Sequence, residues 1–331
     1  MPDLIEIQNV SKQFRTSRVL SKNKDTLAVN EVNLKISQGK SLGLIGESGS
    51  GKTTLGRMIC ALETVSKGEI YFKGNNITNL NLRKMKAYRK NIQMIFQNSS
   101  TIFDASYTVY ESLKEVILNN EKVSKKNCDE KIIRILNQVG LREAHKNRYP
   151  YQLSGGEKQR VNIARALVIN PEFVACDEPV SSLDFSVRKQ ILDLLNKLKK
   201  EMGLTYLFIT HDLSTVKYVC DHVAVMYRGK IVELIDEVEH LAETVRHPYT
   251  KLLMNCIPTA DPSNRKICID QDEAICFCMS DRTQSGCAFL DRCPCRKEIC
   301  FEKEPDLKSI HSGHMVACHM INDKMEGERK L

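Results

Sequence analysis

The sequence has no long run of apolar residues. Its longest apolar runs, at residues 206–209 and 222–226, are far shorter than the roughly 20 residues that cross a bilayer as a helix. The first residues also lack the basic and apolar regions of a secretory signal peptide. We therefore expect a protein that is neither secreted nor membrane-spanning.

Internal repeats and low-complexity tracts are absent as well, and the charge is not concentrated. The 331 residues carry a formal net charge of +8, but apart from short groups such as 122–126 and 197–200 the basic residues are scattered. Solvated helix faces account for such groups, so the charge does not indicate nucleic acid or a membrane surface as a partner. With 42% hydrophobic and 27% charged residues, the composition predicts a globular protein of one large domain or two ordinary ones.

Cysteine, in contrast, is abundant and unevenly placed. Nine of the thirteen cysteines follow residue 255, in less than a quarter of the chain. Without a secretory signal the compartment should be reducing, which disfavours disulfides. A reduced, cysteine-rich segment predicts a metal or cluster site. The nine are Cys256, Cys268, Cys276, Cys278, Cys287, Cys293, Cys295, Cys300 and Cys318.

The apolar pattern predicts an α/β fold. Residues 4–14 and 28–36 alternate as strands do, and short apolar strands alternate with helical patterns from residue 172 to 232. This alternation is typical of a parallel sheet covered by helices. Between residues 98 and 153 the apolar spacing is helical, which predicts a helical insertion. After a linker-like stretch at 258–263, the cysteine-rich segment forms an appendix.

One stretch fits the pattern G-x-x-x-x-G-K-[ST], between a strand-like run at 41–45 and a helical run at 54–62. Glycines let the backbone wrap around a polyphosphate, whose charge the N–H groups at a helix start stabilise. Lys52 would reach the terminal phosphates, and Thr53 would ligate Mg²⁺. The residues predicted to bind nucleotide here are Gly46, Glu47, Ser48, Gly49, Ser50, Gly51, Lys52, Thr53 and Thr54.

A second candidate site is Asp177-Glu178, at the end of an apolar strand. Parallel sheets bind ligands beyond the carboxyl ends of their strands, so both carboxylates would lie at the ligand edge. Asp177 would hold Mg²⁺, and Glu178 would activate the water that attacks the γ-phosphate. A solvated strand end explains the dipeptide on its own, but the preceding phosphate loop favours the catalytic interpretation.

A third candidate is the segment 153–160. Ser154 is a natural N-cap, and Glu157 three residues later completes a capping box. Gly155 and Gly156 each lower helix stability by roughly 1 kcal/mol relative to alanine, a cost that a purely structural cap does not need. The segment therefore predicts a second anion site at a helix N-terminus.

The phosphate loop, the segment 153–160 and the run 176–179, in that order, resemble the ATP-binding cassette (ABC) ATPases. The resemblance covers about residues 4–255. It implies a phosphate-loop NTPase fold, with ATP and Mg²⁺ as ligands and a helical signature subdomain at about 98–165. We therefore expect a nucleotide-binding domain at 1–255 and a C-terminal region at 256–331.

The same resemblance implies roles for single residues. Phe14 would stack on adenine, Gln97 would sense Mg²⁺ and the attacking water, and His211 would contact the γ-phosphate. Asp184 matches the loop that crosses to the opposite subunit. The signature loop, Ser154, Gly155, Gly156 and Glu157, would complete the nucleotide site of that opposite subunit, so two chains would form two shared sites.

The C-terminal part narrows the resemblance. The segments 247–250, 286–294 and 316–319 look like the oligopeptide/dipeptide/nickel importer ATPases. In that group a four-cysteine set can bind a [4Fe–4S] cluster. The spacing here has no C-x2-C knuckle, which argues against a zinc ribbon, although zinc and free thiols remain alternatives. The matching positions are Cys287, Cys293, Cys300 and Cys318.

The resemblance thus implies an ATP-hydrolysing subunit of an importer for oligopeptides or dipeptides, with a nickel or metal-chelate importer as the alternative. Its partners would be a second ABC ATPase subunit, expected to form a heterodimer, two membrane permeases and an extracellular or periplasmic solute-binding protein. It would lie peripherally on the cytoplasmic face of the cell membrane. No nucleic-acid partner is expected.

Two rival interpretations come from other classes of protein. A soluble ABC ATPase that acts on nucleic acid or ribosomes combines the same motifs. Such proteins usually need coiled-coil insertions or a duplicated cassette, which 331 residues do not accommodate. A phosphate-loop kinase or GTPase leaves the segment 153–160 unexplained.

Overall fold

The computed structural model describes residues 2–14, 26–97, 103–255 and 286–321. The strands are β1 (Asp3–Phe14), β2 (Thr26–Ser37), β3 (Ser41–Ile45), β4 (Lys67–Phe72), β5 (Asn75–Asn76), β6 (Ile92–Ile95), β7 (Phe173–Asp177), β8 (Thr205–Thr210), β9 (His222–Tyr227), β10 (Lys230–Ile235), β11 (Lys308–His311) and β12 (His314–Val316). The helices are α1 (Lys52–Ile59), α2 (Leu82–Arg89), α3 (Val109–Asn120), α4 (Lys125–Gln138), α5 (Gly155–Leu167), α6 (Phe185–Met202), α7 (Leu213–Val219), α8 (Leu241–Thr244), α9 (Pro248–Asn255) and α10 (Ile299–Glu302).

Eight strands form the central sheet, in the order β11-β12-β10-β9-β3-β8-β7-β6. The five strands from β9 to β6 in this order run parallel to one another. β3, β7 and β8 are buried along their whole length, as strands covered on both faces are. The predicted parallel sheet with flanking helices is therefore confirmed.

A second, antiparallel sheet has the order β2-β1-β4-β5. Its apolar side chains, such as Ile5, Val29 and Ile70, share a core with Leu55 and Ile59 of α1. This packing places β2 beside the loop that joins β3 to α1.

The helical part of the fold lies between β6 and β7. Leu113 of α3, Ile132 of α4 and Val161 of α5 share one apolar core with the central sheet. Capping boxes start α3 and α5, because Thr108 and Ser154 each exchange hydrogen bonds with a glutamate three residues later. The predicted helical insertion is thus present from residue 109, and residues 98–102 lie outside the described ranges.

Three short helices, α2, α8 and α10, were not predicted from the apolar pattern. α2 buries only Met85, and α8 has four residues. With a single buried apolar residue, a helix carries no stripe at positions i, i+3 and i+4. α2 depends instead on its N-cap, because Asn81 Oδ1 accepts a hydrogen bond from the Lys84 N–H at 2.9 Å.

The C-terminal strands join the central sheet. β12 pairs antiparallel with β10, and β11 pairs antiparallel with β12. Glu233 of β10 is fully buried and accepts hydrogen bonds from the N–H groups of Arg246 (2.7 Å) and His247 (3.3 Å). Nε2 of His314 on β12 lies 2.9 Å from Oε1 of Glu233. The division at residue 255 stays a prediction, and the linker predicted at 258–263 lies outside the described residues.

Within the described ranges, no helix combines the length and the apolar character needed to span a membrane.

Acid should weaken the fold through His247, whose residue is only 2% exposed. Burial lowers the pKa of this imidazole from 6.5 to about 4, although Glu233 opposes the shift. Between these values the unfolded chain binds a proton that the folded chain does not, so this group costs stability as the pH falls.

We expect His247→Asn to remove this loss. Asparagine retains an acceptor for the Tyr249 N–H, which His247 Nδ1 binds at 3.1 Å. When the pH falls from about 7.5 to about 4.5, the free energy of unfolding of the wild type should decrease by about 2 kcal/mol more than that of the variant. Urea unfolding at each pH measures it. The control is His311→Asn, at an exposed position at the end of β11. If the stabilities of His247→Asn and the wild type depend equally on pH, the prediction is wrong.

Candidate nucleotide-binding site

The loop between β3 and α1 has a backbone that only glycine accommodates at two positions. A Cβ on Gly46 would lie 2.1 Å from the carbonyl oxygen of Met226, and one on Gly51 would lie 2.2 Å from that of Ala28. Gly51 also has φ of 105°, in the left-handed region. The loop is therefore held between β9 and β2, at the carboxyl end of β3.

Lys52 points back into this loop. Its ammonium donates to the carbonyl oxygens of Gly46 and Glu47, both at 2.7 Å, and lies 3.3 Å from Ser50 Oγ. Burial lowers the pKa of Lys52, and the carboxylates of Glu178, Asp177 and Glu47 oppose that shift. The result is a desolvated cation inside the predicted phosphate site, where charge interactions are strong.

Thr53 and Asp177 are brought together although 124 residues separate them. The Thr53 hydroxyl donates to Asp177 Oδ1 at 2.8 Å. Burial raises the pKa of Asp177, and the hydrogen bond from Thr53 opposes the shift. Hydroxyl and carboxylate oxygens are the ligands that Mg²⁺ prefers, and the Gln97 amide lies at the same edge through its bond to Glu178. These residues fit the predicted magnesium site.

Glu178 lies between the two other residues predicted to act in catalysis. Its Oε2 accepts a hydrogen bond from Gln97 Nε2 at 2.6 Å, and its Oε1 lies 3.0 Å from His211 Nδ1. Glu178 itself adopts φ of 45°, a conformation that costs a non-glycine residue energy and is common at functional sites. A hydrogen bond from its N–H to the carbonyl oxygen of Ile209 (2.9 Å) holds the strained backbone.

The signature loop lies on a different element, at the start of α5. Ser154 N–H donates to Glu157 Oε2 at 2.8 Å, and Glu157 Oε1 lies 3.0 Å from His145 Nε2 and 3.3 Å from Arg148. A Cβ on Gly156 would lie 2.8 Å from Val187 Cγ1, so close packing on α6 contributes to the need for glycine there. Gly155 has only an ordinary contact, at 3.8 Å, and packing does not require it.

Phe14 and Asp184 occupy accessible positions. Phe14 ends β1 with 39% of its surface exposed, and Lys12 Nζ lies 5.0 Å from its ring centroid. Asp184 is exposed at the start of α6. Their assigned contacts, with adenine and with an opposite subunit, stay predictions.

Two polar side chains far from the phosphate loop in sequence, which its motif does not include, form hydrogen bonds with it. The Glu47 N–H donates to the Tyr249 hydroxyl at 2.8 Å, and Arg292 forms two hydrogen bonds with the Glu47 carboxylate. Tyr249 lies in the segment 247–250, and Arg292 in 286–294, both noted only for family likeness. Their sequence distance from the loop leaves no local pattern that reveals the contact.

The last predicted site is formed by cysteines of the C-terminal tail, the described residues 286–321. Burial raises the pKa of Cys287, Cys293 and Cys318, the last to about 11, and the charges of neighbouring cysteines act in the same direction. The Cys287 N–H donates to the carbonyl oxygen of Cys300 at 2.9 Å, and Cys287 and Cys293 pack against the same apolar cluster, so these three cysteines lie in one region. In the described part of the chain, however, no group of three or more His, Cys, Asp or Glu residues is arranged to hold a metal. Cys256, Cys268, Cys276 and Cys278 lie outside the described residues.

Comparisons with known proteins agree with this geometry. Residues 29–181 match the family model of the ABC transporter, and residues 232–300 match that of the oligopeptide/dipeptide transporter, C-terminal region. The chain is 38% identical to the oligopeptide transport ATP-binding protein AppF of Bacillus subtilis, over 96% of this chain and 98% of that one. It is 37% identical to the dipeptide transport ATP-binding protein DppF of Escherichia coli, over 91% of this chain and 89% of that one.

Solved structures of ABC cassettes have the same fold. A dimeric post-hydrolysis state of the cassette MJ0796, bound to ADP and Pi, is 29% identical with a TM-score of 0.61, over 69% of this chain and 96% of that one. CbiO1 of Clostridium perfringens is 26% identical with a TM-score of 0.62, over 71% of this chain and 89% of that one. The chain belongs to the ABC transporter family, as an ATP-hydrolysing subunit of the group that carries the oligopeptide/dipeptide C-terminal region.

Proposed function

We propose that this chain powers the import of oligopeptides or dipeptides through membrane-spanning partner subunits. The observation that carries the proposal is that the chain combines an ABC cassette with residues 232–300, which match the C-terminal region of oligopeptide and dipeptide transporters. Relatives that align over nearly the whole chain bear the names of peptide transport proteins. These relatives favour the transporter over an ATPase that acts on nucleic acid or ribosomes.

The chemistry follows from the charges at the sheet edge. Lys52 and the loop N–H groups stabilise the phosphates, and bound Mg²⁺, held by Thr53 and Asp177, would supply charge neutralisation at the same oxygens. Glu178 accepts a proton from the attacking water, since Gln97 and His211 fix both of its oxygens. Little covalent chemistry is required of the protein, because positioning and electrostatics carry most of the rate.

A dimer would complete the site. The chain has one phosphate loop and one signature loop on separate elements, and Asp184 and the neighbouring Phe185, which follow both loops in sequence, are exposed. The dimeric cassette MJ0796 supports a pairing of this kind. We propose that the pairing here is with a second, different ABC ATPase, since peptide importers of this family often combine two.

A groove between α2, β6, α3 and α5 is the proposed contact with the membrane subunits. Its volume is about 480 Å³, and its lining includes Leu82, Arg89, Phe96, Val116 and Arg165. Leu82 is 76% exposed at the rim of this groove, where an apolar side chain of a partner could cover it. Phe96 immediately precedes Gln97, whose amide donates to the Glu178 carboxylate, so movement in the groove can reach Glu178 through one side chain. The chain would then lie peripherally on the cytoplasmic face of the membrane.

Uptake measurements in the natural host test the cargo. Deletion of this chain should abolish uptake of labelled dipeptides or oligopeptides and leave nickel uptake unchanged, because peptide transporters share its C-terminal region. The wild-type chain should restore peptide uptake, and Glu178→Gln should not. Loss of nickel uptake with peptide uptake intact would instead favour the metal importer.

The catalytic assignment has its own test. Glu178→Gln keeps the shape of the side chain and its bond to His211 or Gln97 but removes the base, so ATP hydrolysis should fall about 100-fold or more while ATP binding persists. Size-exclusion chromatography with ATP should detect a trapped dimer. Glu201→Gln, on the exposed end of α6, is the matched control and should retain full activity. An unchanged rate in Glu178→Gln would remove this residue from catalysis.

The proposal also concerns the cysteine thiols of the C-terminal tail. We propose, on the support of the family likeness, that Cys287, Cys293, Cys300 and Cys318 take up a [4Fe–4S] cluster, which would require their side chains to rearrange, since the described residues show no group arranged to hold a metal. No catalytic step depends on it. Anaerobically purified protein should absorb broadly near roughly 400 nm and contain iron, and Cys300→Ser should lose both. A colourless, iron-free preparation would contradict the proposal, and zinc in its place would favour the zinc alternative.

A further inference from the structure

The phosphate loop contains a carboxylate, Glu47, although the loop is built to bind an anion. A fixed negative charge beside a polyphosphate opposes binding. Each polar group of Glu47 has a hydrogen-bond partner. Its N–H donates to Tyr249, its carbonyl oxygen accepts from Lys52, and its carboxylate binds Arg292.

The contact with Arg292 has the geometry of a strong ion pair. Nη1 lies 2.8 Å from Oε2 and Nη2 lies 2.8 Å from Oε1, so the guanidinium and the carboxylate form two parallel hydrogen bonds. The Arg292 side chain is 22% exposed and that of Glu47 is 38% exposed. The pair therefore lies partly out of water, where screening by salt is weaker than at a fully exposed site.

Arg292 is held in place by aromatic rings. Its guanidinium carbon lies 6.0 Å from the ring centroid of Tyr227 and 5.8 Å from that of Phe289. Phe289 is buried, and its ring packs on Tyr227, Tyr249 and His247 at centroid distances of 5.3 to 5.8 Å. The tail and the cassette thus share one aromatic cluster, which fixes the guanidinium opposite the loop.

We propose that Arg292 is a positioning residue that neutralises the Glu47 carboxylate, so that the C-terminal tail sets the affinity of the phosphate loop for ATP. Without Arg292, an unpaired negative charge stands within the loop and repels the phosphates of the incoming nucleotide. With Arg292, the negative charge of Glu47 is balanced, and the two hydrogen bonds also hold the phosphate loop in place from the C-terminal tail. The inference rests on ATP binding by this family and is independent of the proposed cargo.

Equilibrium binding of a fluorescent ATP analogue to the full chain tests the proposal, together with kcat and KM for ATP. Arg292→Gln should raise Kd and KM on the order of tenfold, with a much smaller change in kcat, because the added repulsion acts on the bound phosphates. Glu47→Gln introduced into Arg292→Gln should restore most of the lost affinity, since it removes the unpaired charge. A merely structural loss of Arg292 would not be rescued in this way.

Charge and salt provide further readouts. Arg292→Lys keeps the charge but loses the two parallel hydrogen bonds and the planar contact with the rings, so its Kd should lie between those of the wild type and Arg292→Gln. The deficit of Arg292→Gln should shrink between about 0.1 M and about 1 M salt, because salt screens the repulsion. Arg296→Gln, an exposed arginine of the same tail, is the matched control and should bind ATP as the wild type does.

The proposal is overturned if Arg292→Gln binds ATP as tightly as the wild type, or if Glu47→Gln fails to restore affinity. It is also overturned if Arg292→Lys is as weak as Arg292→Gln. The lysine variant keeps the test decisive if the glutamine variant does not fold. Peptide uptake does not enter these measurements, so a wrong cargo assignment leaves their result unaffected.

Discussion

The carboxyl ends of β3, β6, β7 and β8 meet at one edge of the central sheet, and the chemistry of the protein depends on that meeting. The phosphate loop follows β3, Gln97 follows β6, Asp177 and Glu178 follow β7, and His211 follows β8. Parallel pairing in register fixes these ends relative to one another. Residues far apart in sequence thereby come within hydrogen-bond distance, and the buried strands leave them little freedom to move.

Charge at this edge is closely balanced. Lys52 is buried, which disfavours its charged form, and three carboxylates around it compensate. Two of these carboxylates, on Asp177 and Glu178, are those proposed to hold the metal and to activate the water. The third, on Glu47, has no such use and is paired with Arg292 instead. The arrangement explains how a loop that binds a polyanion tolerates an acidic residue.

Much of this fold and site was predictable because the signals are local. The phosphate loop, the strand that ends at Asp177 and the capping box at Ser154 each occupy a few consecutive residues, and α6 has a strong apolar stripe. α2 was not predictable, because it buries one residue. The pairing of β12 with β10 and the contact between Arg292 and Glu47 depend on tertiary packing, with 245 residues between the latter two. Gly156 had been attributed to anion binding alone, and its approach to Val187 adds a packing cause.

The tail strands also determine which backbone groups the central sheet offers to other molecules. β12 covers the edge of β10, and the outermost strand on that side is β11, with four residues that begin at Lys308. The opposite edge is β6, which also has four residues. Short edge strands are poor templates for pairing between chains. The two ends of the central sheet therefore offer little backbone to another copy of the chain, so continuation of this sheet from one copy into the next is disfavoured.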